Sequence, residues 1–174
     1  NFLNTIVRDG QTPLTFSIMK DNLALFNALL GNEKIELTRV NEIGDAPLAV
    51  SINKPFLHGR EYYSALVPKM VSLDQPINRA GDTALFLAFR KDQRFYTEDL
   101  IEREAALNSL NTEGYTALRQ FVGQTNFNER LHAIRYRAGV EANCVGSLLK
   151  LFSDHGGLSS QQNLYAFLLF LAKN

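Results

Sequence analysis

Apolar residues along this chain fall in short groups at helical spacing, and the same polar signal introduces each group. Leu14, Phe16 and Ile18 are followed by Leu23, Phe26, Leu29 and Leu30. Spacings of three and four put such residues on one face of a helix. Leu85, Leu87, Ala88 and Phe89 form another such group further along. The introducing signals are Asp9-Gly10-Gln11-Thr12-Pro13-Leu14, Ile43-Gly44-Asp45-Ala46-Pro47-Leu48, Ala80-Gly81-Asp82-Thr83-Ala84-Leu85 and Glu113-Gly114-Tyr115-Thr116-Ala117-Leu118. Their glycines lie 34, 37 and 33 residues apart. Three residues before the glycine stands Val7, then Asn41, Asn78 and Asn111.

Each position in the signal has a physical reason. Glycine suits a tight turn that needs positive φ. Thr12, Thr83 and Thr116 stand where a hydroxyl can accept a free N–H at a helix start. Pro13 and Pro47 fall on the first helical position, where a missing N–H costs nothing. The leucine then opens an apolar face. The unit is therefore a turn and a short helix, with a second helix behind it in the first copy, and it recurs with a period of 30-odd residues. A recurring supersecondary unit of that length predicts a stacked array.

The pattern resembles the ankyrin repeat, a turn followed by two antiparallel helices. Further segments carry the likeness: Leu3-Asn4 through Asp9-Gly10 and Leu107-Asn108-Ser109-Leu110-Asn111-Thr112-Glu113-Gly114 look like the hairpin between repeats, and Ala138-Gly139-Val140-Glu141-Ala142-Asn143 is similar to the close of a repeat. The resemblance implies an all-α solenoid of helix–turn–helix repeats with short hairpin turns. Four divergent repeats are expected within residues 1–143, at about 10–40, 44–77, 81–110 and 114–143. Departures are visible. The position after the leucine, often His in the family, holds Thr15, Ala49, Phe86 or Arg119, and Asp21 replaces the glycine between the two helices. Lys54–Arg60 read as extra residues between the helices of the second copy, and Pro68 as a break in its second helix.

Beyond Asn143 the pattern fades, and residues 144–174 read as a degenerate fifth repeat or a helical cap. Ser147–Ser153 suits a short helix. Asp154-His155-Gly156-Gly157 is a break, and Ser159 or Ser160 suits the cap of a last helix through Leu171. That helix is apolar nearly all round, which predicts burial on more than one side. A neighbouring domain or a further repeat is the simplest cover for it, and a partner chain the alternative.

Composition narrows the function. Eighteen Lys and Arg balance eighteen Asp and Glu, so no basic excess points to nucleic acid. The most apolar run, Leu164–Ala172, is too short to cross a bilayer, so no membrane insertion is expected. The only cysteine, Cys144, cannot form an internal disulfide, which fits an intracellular setting. It has no recognisable base or protease signature around it and reads as a small buried residue, so Cys144→Ala should be silent. His58, His132 and His155 stand far apart, and neither a metal-ligand spacing nor a phosphate loop is present. The charged stretch Glu98–Glu104 reads as a solvated helix face. No catalytic residue, metal or cofactor is expected.

What remains is architectural. The ankyrin resemblance implies a concave surface, made of hairpin tips and first helices, that recognises a protein partner. Laid on that geometry, Asp9, Asp45, Asp82 and Glu113 form an acidic row beside the turn glycines. Lys20, Lys54 and Lys91, with Arg90 alongside, form a basic row at the ends of the first helices. The expected partner-binding set is completed by Arg8, Gln11, Glu42, Arg79 and Tyr115, with Tyr115 the candidate anchor. The expectation is an interaction module of a larger intracellular protein. The alternatives are a substrate-positioning or packing domain of an enzyme whose catalytic part lies outside residues 1–174, and a structural spacer. Frequent asparagine and divergent repeats also resemble ankyrin-bearing bacterial effectors that act in host cytoplasm.

Overall fold

The computed structural model of the chain describes residues 2–7, 9–91, 93–117, 119, 153–157, 159–163 and 165. Leu118, His132, Cys144, the expected Ser147–Ser153 helix and most of the Leu164–Leu171 helix lie outside them. Among the described residues the secondary structure is helical, with no β-strand. A 3-10 turn at Phe2–Asn4 precedes three pairs of helices: α1 (Pro13–Met19) with α2 (Leu23–Leu30), α3 (Pro47–Asn53) with α4 (Phe56–Leu66), and α5 (Ala84–Arg90) with α6 (Arg94–Glu102).

Local chemistry accounts for where the first helices begin. The Thr12 side chain accepts from Thr15 N, while Thr15 Oγ1 accepts from Thr12 N at 2.9 Å, a reciprocal cap. Thr15, at the family's His position, is thus spent within its own turn. Thr83 and Thr116 cap in the same way through Phe86 N and Arg119 N. Ala46 offers no side-chain cap, and Pro47 at the first helical position removes one of the donors that would need it. Gly10, Gly44, Gly81 and Gly114 all have φ between 70° and 94°, as the turn demands. Asp21, where the family has glycine, also takes the left-handed region, at φ 53°.

α1, α3 and α5 have seven residues each, too short to persist alone. Packing supplies the difference. α1 rests on α3 and α3 on α5, with Leu14, Leu48 and Leu85 each at most 1% exposed. Aromatic rings join the second helices. Phe26 meets Tyr62 edge-on at 4.9 Å, and Tyr63 packs on Tyr96 at 4.4 Å. The Tyr63 hydroxyl donates to Asp99 Oδ2 at 2.7 Å, an oxygen that also accepts from Arg103 Nε. Burial and that carboxylate hold the Tyr63 phenol far above its ordinary range, so it stays a donor. Glu98 and Asp99 each pair with an arginine four residues away on α6, as side chains on a solvated helix face do.

The second repeat corrects the reading of Lys54–Arg60 as a segment between its helices. α4 starts at Phe56, so only Lys54 and Pro55 separate it from α3. His58, Gly59 and Arg60 belong to the helix. The extra residues lengthen α4 at its start, and Pro68 ends it in the 3-10 turn Val67–Lys69. The reason is a close crossing: a Cβ on Gly59 would lie 2.3 Å from the Ser51 carbonyl oxygen and 3.0 Å from the Tyr96 hydroxyl. Gly59→Ala should therefore force α3 and α4 apart. A loss of about 1–3 kcal/mol is expected, measured by denaturant unfolding; an unchanged midpoint would show that the crossing can relax.

Candidate partner-binding surface

The hairpins are held in a row by two kinds of hydrogen bond. Within a hairpin, the asparagine three residues before the glycine folds the loop. Asn41 Oδ1 accepts from Asp45 N at 2.8 Å and Asn78 Oδ1 from Asp82 N at 3.0 Å, while Asn111 Oδ1 accepts from Glu113 N and Tyr115 N at 3.0 Å. Between hairpins, Glu42 N donates to Gly10 O at 2.8 Å, Ala46 N to Ile77 O at 2.8 Å and Thr112 N to Ala80 O at 3.1 Å. Asn41 Nδ2 reaches back to Gln11 Oε1 at 3.0 Å, and Arg79 Nη2 to Glu42 O at 3.3 Å. Residues 30-odd apart in sequence become neighbours, and the tips form one edge of the stack.

The expected binding residues divide on this scaffold. Asp9, Glu42, Arg79, Glu113 and Tyr115 are exposed at the tips, and Lys20 and Lys91 at the helix ends. Gln11 and Asp45 are half-buried. Arg8 lies outside the described residues. The two charged rows do not form as expected. Asp82 is fully buried: its Oδ2 accepts from Asn78 Nδ2 at 2.9 Å and faces Arg90 Nη2 at 2.8 Å. That carboxylate and Arg90 form an internal ion pair instead of two independent surface charges. Lys54 Nζ lies 2.9 Å from Asp21 Oδ1, its side chain only 13% exposed. The left-handed turn of the first repeat carries Asp21 to it. The exposed cations left at the helix ends are Lys20, stacked 5.6 Å over the Phe16 ring, and Lys91.

Two features of this edge were missing from the sequence reading. Ile43 is 63% exposed at the second tip, next to a turn glycine. Val40 and Leu110, each four residues before a turn glycine, are also exposed. The signal was present, since an apolar residue inside a turn has no helix face to bury it. The asparagines recur at a fixed spacing, but their role depends on loop geometry that spacing does not reveal. Elsewhere, open clefts lie between successive loops, one of about 590 Å³ lined by Leu30, Ile35, Leu37, Lys69, Met70 and Val71. Among the described residues no group of His, Cys, Asp and Glu could hold a metal ion, and no helix is long and apolar enough to cross a membrane.

No family model matches the chain and no curated protein is similar to it. Among solved structures it is similar to the ankyrin repeat domain of Bcl-3, a member of the IκB protein family. The two are 19% identical and agree with a TM-score of 0.61 over 81% of this chain. The chain spans 61% of the length of that domain. The fold is thus an all-α solenoid of ankyrin-type repeats.

The half-buried Asp45 gives this surface a pH signature. Burial, the larger effect, raises its carboxyl above the ordinary 3.8, while Arg90 and Lys91 oppose the rise. The folded state therefore resists ionisation of Asp45 more than the unfolded chain does. The associated stability is complete below 3.8 and is lost as pH rises through the higher folded value. Asp45→Asn should melt above the parent at pH ~7 and lose that advantage in acid below the ordinary carboxylate value. Thermal melts at the two pH values test this, and an asparagine variant less stable than the parent near neutrality would contradict it.

Proposed function

We propose that the chain is a protein-interaction module of a larger intracellular protein, binding its partner along the hairpin tips and first-helix ends of the ankyrin-type stack. One observation carries the reading: hydrogen bonds between repeats bring exposed side chains from successive hairpins onto a single edge, with apolar ones among the charges. Ile43 and Tyr115 supply contact area, and a tip tyrosine adds a hydroxyl that can bond across an interface. Glu42, Arg79 and Glu113 surround them with charge, and among the described residues Lys20 and Lys91 are exposed cations at the helix ends. Asp82, Arg90, Lys54 and Asp21 hold one another, and their role is to set the shape of the edge.

With a partner isolated by pull-down, Tyr115→Ala and Ile43→Asp should each raise Kd roughly tenfold or more. Reversing Lys20 and Lys91 together should mainly slow association and change its salt dependence, because exposed charges steer encounter more than they hold a complex. Association kinetics at two ionic strengths read both effects. If all of these variants bind like the parent, another surface of the stack is the binding site.

A further inference from the structure

The fourth hairpin is met by a different kind of neighbour. At the inner junctions, backbone groups of one hairpin find partners on the next: a carbonyl of the first hairpin and an N–H of the second. Gly10 O accepts from Glu42 N at 2.8 Å, and Ala46 N donates to Ile77 O at 2.8 Å. Ala46 stands two residues after its turn glycine, as Thr116 does after Gly114. At the fourth hairpin the same two groups bond to one side chain: Gln162 Nε2 donates to Gly114 O at 2.9 Å, and Thr116 N donates to Gln162 Oε1 at 3.3 Å. A primary amide carries one donor face and one acceptor, and here both replace peptide groups.

The surrounding contacts follow the same logic. Asn4 bonds to Lys34 O and Glu36 N in the following loop, and Asp74 accepts from Ala106 N. Asn108, six residues before its glycine as Asn4 is before Gly10, instead donates to Ser159 Oγ at 2.9 Å. Asn163 is fully buried. Its Nδ2 lies within hydrogen-bond distance of Leu107 O, Asn108 Oδ1 and Gly157 O, and its Oδ1 accepts from the Thr116 hydroxyl. Ser160 Oγ accepts from Asn163 N, which makes Ser160 the cap of the helical residues 161–163. Three residues beyond Gln162, the Tyr165 ring lies 5.0 Å from the guanidinium of Arg119, itself three residues beyond Thr116. The two helix starts therefore run side by side in the same direction.

We propose that residues 159–163 and Tyr165 form a cap docked on the outer edge of the fourth hairpin, in which the Gln162 amide stands in for the peptide groups of a next repeat. The cap closes the hairpin row from within the chain. A hairpin from a further repeat or from a second copy can bond to Gly114 O and Thr116 N only by displacing Gln162. The cap also carries the exposed Tyr165, whose ring meets Arg119 of the fourth repeat.

Residue-resolved amide hydrogen exchange on the full chain tests the proposal. In the parent, Thr116 N–H should be protected like Ala46 N–H, its equivalent at an inner junction. Gln162→Met keeps the volume and removes both bonds; it should speed exchange at Thr116 by roughly 2–10-fold, the range of one net hydrogen bond, and leave Ala46 unchanged. Free exchange of Thr116 in the parent would overturn the cap outright, with no variant needed. Equal Thr116 exchange in parent and variant would overturn the role of Gln162.

Discussion

A helix of seven residues makes fewer than two turns and cannot hold itself in water. α1, α3 and α5 are all of that length, and this constraint governs the rest of the molecule. Each exists because its leucine is buried against a neighbouring first helix and because its start is eased, by a threonine cap in α1 and α5 and by Pro47 in α3. Stability is therefore a property of junctions between repeats. The hairpin hydrogen bonds matter for the same reason: they fix the register in which one apolar face meets the next, as ladder bonds do in a sheet.

Divergence from the family pattern is absorbed at these junctions by other chemistry. Where the family's His would tie turns together, Thr15 closes its own cap and Asn41 reaches across to Gln11. At the third hairpin, Asp82 is buried and matched with Asn78 and Arg90. Burying a carboxylate is costly unless it is paired and hydrogen-bonded; both conditions hold for Oδ2 of Asp82, while its Oδ1 is buried with no hydrogen-bond partner among the described residues. The result is an edge of hairpin tips with fewer exposed charges than its sequence suggests and with exposed apolar side chains among them.

That partition also connects the binding edge with the end of the stack. Tyr115 lies beside Thr116, whose N–H and hydroxyl are held by Gln162 and Asn163. The candidate anchor thus sits on the hairpin that the cap steadies. Rigid presentation of an anchor lowers the ordering cost of binding.

The sequence by itself determined the unit and its punctuation. Thr12, Thr83 and Thr116 cap helices, Pro13 and Pro47 open them, the four turn glycines take positive φ, and Leu14, Leu48 and Leu85 are buried. All of these follow from local chemistry within a few residues, which periodicity makes visible. The tertiary structure alone decided what crosses from one repeat to the next. It turned Lys54 to Asp21, joined Asn41 to Gln11, packed Tyr63 on Tyr96 and set Gln162 against Thr116. Those partners are separated by up to 46 residues and by insertions of unequal length. Their meeting depends on the stacking register, which no spacing within a single repeat encodes.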